Sequence, residues 1–119
     1  MVKYREEVLD RTFAALADPT RRALVARLGD RDSLSVSELA QPFAISLAAA
    51  SKHIKVLEHA GLIRREVRGR THLCRLEPGP LATAHEWLGF YERFWTARLD
   101  MLDRLLREDD ARTQAKRKT

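Results

Sequence analysis

One stretch of the chain, Ser46 to Gly61, constrains the fold more than any other. Both ends carry helix signals, because a serine hydroxyl can accept from the free N–H groups of a first turn and glycine readily takes a left-handed C-terminal cap. Apolar residues recur at helical spacing on one side, at Leu47, Ala50, Ile54 and Leu57. Small and basic residues occupy the other side. The stretch therefore predicts a helix with one buried face and one face suited to a polyanion, such as the major groove of DNA.

Three further helices are predicted before this one. Apolar residues form a stripe over about Arg5–Leu16, which favours a first helix. Asp18 precedes Pro19–Leu28 as an N-cap, and proline suits the first turn of that second helix. Ser35 and Glu38 have the spacing of a capping box, so a short third helix follows them. The third helix, a tight turn and the central helix then form a helix-turn-helix, with a plain helical hairpin as the alternative.

A β-hairpin is predicted directly after the central helix, from Leu62–Val67 and Thr71–Leu76 with Gly69 in the turn. Residues 62 to 77 contain five arginines and two glutamates. A winged helix-turn-helix needs such a basic hairpin, because its tip can reach the DNA backbone or the minor groove while the helix enters the major groove. The alternative is an edge hairpin that uses charge to resist aggregation.

A long helix is predicted last, from about Leu81 to Glu108. Its apolar stripe is broader than one small core needs, so part of it is expected to pack, with the first helix, against a second copy of the chain. The residues predicted at this dimer interface are Val8, Phe13, Leu88, Tyr91, Trp95, Leu99 and Leu102. The alternative is a stripe that covers only the domain's own core. Residues 1–108 are predicted to form one DNA-binding and dimerisation domain, and residues 109–119 a disordered basic tail.

Composition narrows the class of protein. The formal net charge of +5 favours acidic partners such as nucleic acid. A single cysteine, Cys74, excludes an internal disulfide and fits a reducing compartment. It is either a small buried strand residue or a redox switch. Since the sequence contains neither a bilayer-spanning apolar run nor a signal-peptide core, we expect a cytoplasmic protein with no membrane partner.

Four segments together resemble the ArsR family of bacterial winged-helix transcriptional repressors. They are ALADPTRRALVARL, SVSELAQPFAIS, AAASKHIKVLEHAGLIRREVRGRTHLCRLEP and WLGFYERFWTARLDMLDRLL, within about residues 8 to 108. The resemblance implies a mainly α fold with a small β-hairpin, in the order four helices, two strands and one helix. It also implies a homodimer that binds a palindromic operator in double-stranded DNA and thereby represses transcription. An effector, which the sequence does not identify, would release that operator.

The resemblance assigns the DNA-binding residues one by one. Those in the central helix are Ser46, Leu47, Ala48, Ser51, Lys52 and His53, and those at the wing tip are Arg68 and Arg70. Lys55 joins them from its place on the basic side of the helix. Many relatives have a Gln-Pro pair where this chain has Leu47-Ala48, so an amide cannot read adenine there. Apolar contact with thymine methyl groups is one substitute, and His53 either contacts DNA or hydrogen-bonds a neighbouring element.

No metal site and no cofactor are predicted. Metal-sensing relatives carry a Cys-x-Cys pair in the third helix or several ligands in the last helix, whereas this chain has no third-helix cysteine and only His85 in its last helix. The chain therefore resembles the metal-independent branch of the family. An enzyme is disfavoured, because the sequence lacks a Gly-rich phosphate loop, an HExxH helix and a GxSxG elbow. The remaining alternative is a protein-interaction module that uses the aromatic face of the last helix.

Overall fold

The computed structural model describes the backbone of residues 2–118 and the side chains of residues 5–117. Its elements are α1 (Val2–Ala15), α2 (Pro19–Gly29), β1 (Leu34–Ser35), α3 (Val36–Ala40), α4 (Leu47–His59), β2 (Ile63–Arg68), β3 (Thr71–Leu76) and α5 (Gly79–Lys118). The chain forms two units, Met1–His85 and Glu86–Thr119. The predicted fold class, a mainly helical winged helix-turn-helix, is thus confirmed. None of the described helices is both long enough and apolar enough to cross a bilayer.

The predicted N-caps begin α2, α3 and α4. Asp18, Ser35 and Ser46 each accept a hydrogen bond from the backbone N–H of the third helical residue, over 3.0, 3.1 and 3.1 Å. Glu38 completes the capping box, since its carboxylate accepts from the Ser35 backbone N–H at 3.0 Å. Bonds from backbone N–H groups hold the pKa of Asp18 and the pKa of Glu38 below their ordinary values. At the other end of α4, Gly61 takes the left-handed conformation expected there, with φ 77°.

The predicted hairpin is part of a larger sheet. β3 lies between β2 and β1, and both pairings are antiparallel. Cys74 lies opposite Arg65 on one side and opposite Leu34 on the other. The third strand was not predicted, because β1 has only two residues and gives no alternating pattern. Its effect is to anchor the start of α3 beside the wing.

The core of the first unit lies between the helices and the sheet. From α4 it takes Ala50, Ile54 and Leu57, each completely buried. Leu47 was predicted on the same buried face, but that prediction is wrong, since 56% of its surface is exposed. Helical spacing assigns a residue to a side of the helix, but it does not show how far along its length the helix is covered. The first residue of α4 therefore lies outside the core.

The last helix, α5, is 40 residues long. Its prediction ended at Glu108, before a tail without regular structure, whereas the helix continues through Lys118; Thr119 lies outside the described residues. Residues 109–118 lack apolar periodicity, but they contain no glycine or proline and are rich in alanine, arginine, lysine and glutamine, which favour helix. Arg107 and Asp103 add an ion pair of 3.1 Å between successive turns. The predicted domain boundary at residue 108 stays a prediction.

Candidate nucleic-acid interface

The exposed surface of α4 carries several of the predicted DNA-binding residues. Because Ala50, Ile54 and Leu57 fix one side of the helix in the core, the opposite side faces solvent. The predicted residues exposed on it are Ala48, Lys52 and Lys55; Ser46 and Leu47 are exposed at the start of the helix, beyond the core, and Ser51 is half-buried. The structure thus brings together small side chains, which permit close approach, and two ammonium groups.

His53 occupies a different position on α4. It is half-buried, and its Nδ1 lies 3.5 Å from Nη1 of Arg21, near the start of α2. Arg21 is itself held by the end of α1, because its Nε donates to the Ala15 carbonyl oxygen at 2.6 Å. Of the two roles left open for His53, this geometry corresponds to the contact with a neighbouring element. DNA contact by His53 stays a prediction.

The two arginines predicted at the wing tip differ in their surroundings. Arg68 pairs with Glu66 at 3.3 Å, and the same carboxylate also pairs with Arg75 at 3.6 Å. Arg70 follows Gly69, whose φ of 61° closes the turn between the strands, and it is exposed. Within the described part of the chain, Arg70 makes no ion pair, and neither do the lysines of α4. Arg70 is therefore the wing-tip cation whose charge is available to a polyanion.

A groove separates α4 from the wing. We call it the helix–wing groove; its volume is about 450 Å³, and it lies between the starts of α3 and α4 and the sheet face that carries Arg65. Two arginines, one histidine, four hydroxyl residues and two apolar residues line it. The hydroxyl residues are Ser35, Ser37, Ser51 and Thr71, the cationic and histidine residues are Arg65, Arg70 and His72, and the apolar residues are Val36 and Leu47. The lining is rich in hydrogen-bond donors.

Arg65 is the deepest cation of this groove, with 19% of its side chain exposed. Its Nη2 lies 3.5 Å from Oε1 of Glu58 on α4, which is longer than a charge-assisted hydrogen bond. Nε and Nη2 are both buried and have no hydrogen-bond partner. Since a buried charge is costly unless it is well paired, the positive charge of Arg65 is only partly compensated. Beside it, burial raises the pKa of the Cys74 thiol, although Arg65 acts in the opposite direction.

The groove and its inward arginine were not predicted. Strand alternation contained the signal, because a residue two places after the buried Ile63 points to the same face of the sheet. An arginine at that place was instead counted with the other basic residues of the hairpin. The pairing of Arg65 with Glu58 depends on how α4 packs against β2, which a single strand pattern does not show.

The residues predicted at the dimer interface retain exposed apolar surface. In the first unit, Val8 is half-buried and Phe13 is 40% exposed. In the second unit, the exposed fractions rise along the helix from 39% at Leu88 to 64% at Leu99. Tyr91, Trp95 and Leu102 lie between these values. The interface itself stays a prediction.

In the described residues, no three His, Cys, Asp or Glu side chains come together as metal ligands would.

Comparisons with known proteins agree with this geometry. A helix-turn-helix domain model matches residues 16–66, from the end of α1 into β2. The chain is 42% identical, over 90 residues, to the HTH-type transcriptional regulator Rv2034 of Mycobacterium tuberculosis; the match covers 76% of this chain and 80% of that protein.

Solved structures show the same likeness over more than two thirds of the chain. One crystal structure of an ArsR family transcriptional regulator is 42% identical, with a TM-score of 0.68, and the match covers 76% of this chain and 93% of the other. An ArsR-like transcriptional regulator from Rhodococcus sp. RHA1 is 30% identical, with a TM-score of 0.63, and the match covers 82% of this chain and 92% of the other. These relatives are regulators of transcription, and this chain belongs to the ArsR family of winged helix-turn-helix transcriptional regulators.

Proposed function

We propose that this protein is a homodimeric repressor of its own or a neighbouring operon, and that it binds a palindromic operator without using a metal-sensing site. Each protomer would insert α4 into the major groove and place its wing tip at the backbone or the minor groove. Membership of the family supports the coarser function, binding of DNA to regulate transcription. The residues and the mode of action are the proposal.

One observation carries the DNA-binding surface. The exposed surface of α4 combines Leu47 at the start of the helix with Ala48, Lys52 and Lys55, and Arg70, which makes no ion pair in the described residues, stands across the helix–wing groove from it. The first residues of a recognition helix reach base edges, whereas lysines and wing arginines suit phosphates. We therefore assign base reading to the first turns of α4, with Ser46, Ser51 and Lys52, and phosphate binding to Lys55 and Arg70.

The apolar face of α5 supports the dimer. Large side chains such as Trp95, Leu99 and Leu102 are each more than half exposed, and covering them against a second copy would remove this apolar surface from water. A two-fold dimer would present two copies of α4 to half-sites about one helical turn, roughly 34 Å, apart. A palindromic operator is the DNA that matches such symmetry.

The donor chemistry supports metal independence. His72 and Cys74 are the nearest approach to a ligand pair that the sequence offers, but Cys74 is completely buried and its thiol pKa is raised, which opposes the thiolate that a soft metal needs. We place the protein in the cytoplasm, where a repressor meets its operator. The proposal names no effector.

The wing assignment is tested by binding titrations at several salt concentrations, using an operator selected from genomic fragments. Changing Arg70→Ala should weaken binding to every sequence and should reduce the slope of log affinity against log salt by about one, because one phosphate contact is lost. The matched control is Arg68→Ala, which removes an arginine already paired with Glu66 and should have a smaller effect. Equal affinity and slope for Arg70→Ala and the unchanged protein would refute the wing assignment.

The assignment of base reading to the first turns of α4 needs a different measurement. Changing Lys52→Ala or Ser51→Ala should alter which sequences a random-site selection recovers, since direct contacts with base edges carry specificity. An unchanged preferred sequence, with affinity lowered equally for all sites, would move those residues to the phosphate-binding set.

A further inference from the structure

The side chain of Arg21 connects the end of α1 to the middle of α4. The last carbonyl groups of a helix lack partners within the helix. Here the Arg21 side chain binds two of them, since Nε donates to the Ala15 oxygen at 2.6 Å and Nη2 donates to the Ala14 oxygen at 3.3 Å. Because a guanidinium group is planar and rigid, these two bonds fix the direction of its third nitrogen. That nitrogen, Nη1, lies 3.5 Å from Nδ1 of His53 on α4.

This contact assigns the proton of the neutral His53 ring to one nitrogen. A guanidinium group only donates hydrogen bonds, so Nδ1 is the acceptor and the ring proton is on Nε2. His53 is half-buried, and the next residue, Ile54, lies completely in the core. Asp18, the N-cap of α2, interacts electrostatically with both His53 and Arg21. The imidazole thus has a defined place between α4 and the corner that joins α1 to α2.

Apolar packing between α1 and α4 is incomplete beside this contact. An open groove of about 340 Å³ lies between the end of α1 and the C-terminal half of α4. The residues that line it are Arg11, Ala14, Ala15, Val56, His59 and Ala60. Val56 is 42% exposed there. Side chains that do not touch contribute no dispersion energy, so packing along this stretch does little to fix the angle between the helices. The polar connection through Arg21 therefore has a larger part in fixing it.

We propose that Arg21 is a positioning residue for operator binding: through His53 it holds α4 at a set angle to α1, and it thereby fixes the half-site spacing that the dimer accepts. This inference rests on the proposed function, because it requires that α1 belongs to the dimer interface and that α4 reads the operator. In such a dimer, a rotation of α4 relative to α1 changes the distance between the two reading helices. One added base pair moves a half-site by about 3.4 Å and turns it by about 35° around the DNA axis, so the preferred spacing reports the position of α4.

Arg22 provides a matched control in the next position of the chain. Its Nη1 donates to the Leu16 oxygen at 2.7 Å, so it also binds the end of α1. Its side chain is exposed, and within the described residues it makes no hydrogen bond to α4. Arg22→Ala therefore removes a cation and a carbonyl contact from the same helix end without cutting the connection to His53.

The experiment measures affinity for operators whose half-sites are one base pair closer together or farther apart than in the best operator. Arg21→Ala should bind the best operator about tenfold more weakly, because a charged hydrogen-bonding group is lost, and should bind the two altered operators as before. Its selectivity for spacing should thus fall about tenfold. Arg22→Ala should keep the selectivity, and neither variant should change which bases are preferred within a half-site. Arg21→Lys should lose selectivity as Arg21→Ala does, since one ammonium group cannot span the Ala15 oxygen and His53.

The same connection is tested from α4. His53→Ala should lose the spacing selectivity, whereas His53→Asn should keep it, because the amide oxygen stands about where Nδ1 does and accepts from Arg21. Nitrogen NMR of the His53 ring gives a measurement without DNA. The unchanged protein should carry the ring proton on Nε2, and Arg21→Ala should populate both tautomers.

The possible failures have different meanings. The same spacing selectivity for Arg21→Ala, Arg22→Ala and the unchanged protein would leave Arg21 as a cap of α1 alone and would overturn the inference. Selectivity lost in His53→Ala but kept in Arg21→Ala would show that His53 acts on DNA directly, and a ring proton on Nδ1 in the unchanged protein would exclude the bond from Arg21; either result would overturn the inference as well. An unchanged protein that binds no genomic fragment, or that sediments as a monomer, would instead refute the proposed function itself.

Discussion

The two units of the chain differ in how far their large apolar side chains are buried. In Met1–His85, large residues such as Leu24, Ile54 and Leu57 are completely buried. In Glu86–Thr119, Phe90 is 72% exposed and Leu99 is 64% exposed. The first unit, which we call the body, therefore completes a hydrophobic core by itself, whereas the segment of α5 from Glu86 onward does not. Exposed apolar area of that extent is typical of a surface that binds a partner.

The body also leaves some apolar side chains exposed, and one of them lies at the proposed DNA surface. Leu47 is 56% exposed at the start of α4, although Ala50, Ile54 and Leu57 on the same helix are completely buried. The same physical reasoning applies to it as to α5: an apolar side chain left in water gains free energy when a partner covers it. For α5 the proposed partner is a second copy, and for Leu47 it is DNA.

The largest effect should come from chemical labelling of the body's core. Cys74 is completely buried and burial raises its thiol pKa, so both access and the thiolate fraction are reduced. We expect a disulfide reagent at mildly alkaline pH to react with the native protein roughly a thousandfold more slowly than with the unfolded chain, because the core must open first. Fast native labelling would show that the core opens readily, and would favour the redox switch over a purely structural role for Cys74.

Truncating leucines at the two ends of α4 should separate buried from exposed apolar surface. Leu57→Ala should lower the free energy of unfolding by about 2–5 kcal/mol, because a cavity remains where the side chain was buried. Its matched control, Leu47→Ala, should change that free energy by less than about 0.5 kcal/mol. Urea denaturation followed by circular dichroism measures both. Equal losses for the two variants would contradict the packing of α4.

The partner of α5 is tested by placing charge on its apolar face. Leu102→Glu should raise the dimer dissociation constant at least about tenfold, since a carboxylate would be buried without a counter-charge, and should weaken operator binding as a consequence. Sedimentation equilibrium measures the first effect. Ala97→Glu is the control, because it lies about 140° around the helix from residue 102. A protein that stays equally dimeric with Leu102→Glu would have to associate through another surface.

Local signals in the sequence predicted the framework of the body. The N-caps of α2, α3 and α4 are hydrogen bonds between residues three apart, so the pattern of side chains is enough to place them. The two strands of the hairpin were predicted by composition and by the glycine of their turn. In such cases, the energetic cause and the sequence signal lie within the same few residues.

Features that depend on distant packing were missed. The strand β1 exists because Leu34 and Ser35 pair with residues of β3 about forty positions later, which no short window contains. Arg65 turns inward because α4 supplies Glu58 beneath the sheet. At the far end of α5, the predicted tail relied on the loss of apolar periodicity, but periodicity reports burial, and a solvent-exposed helix needs only suitable propensity.

The smallest effect concerns Leu47 itself. If its side chain covers a thymine methyl group in the operator, replacing that thymine by uracil should weaken binding by about 1 kcal/mol, or about fivefold, because roughly one methyl's burial is lost. Leu47→Ala should weaken binding to the thymine operator by a similar factor. This variant should therefore bind the thymine operator and the uracil operator equally well. A scan of single thymine-to-uracil replacements identifies the position. If Leu47→Ala kept the preference of the unchanged protein for thymine at every position, another residue would contact the methyl group. Leu47 would then have to be covered by a partner other than DNA bases.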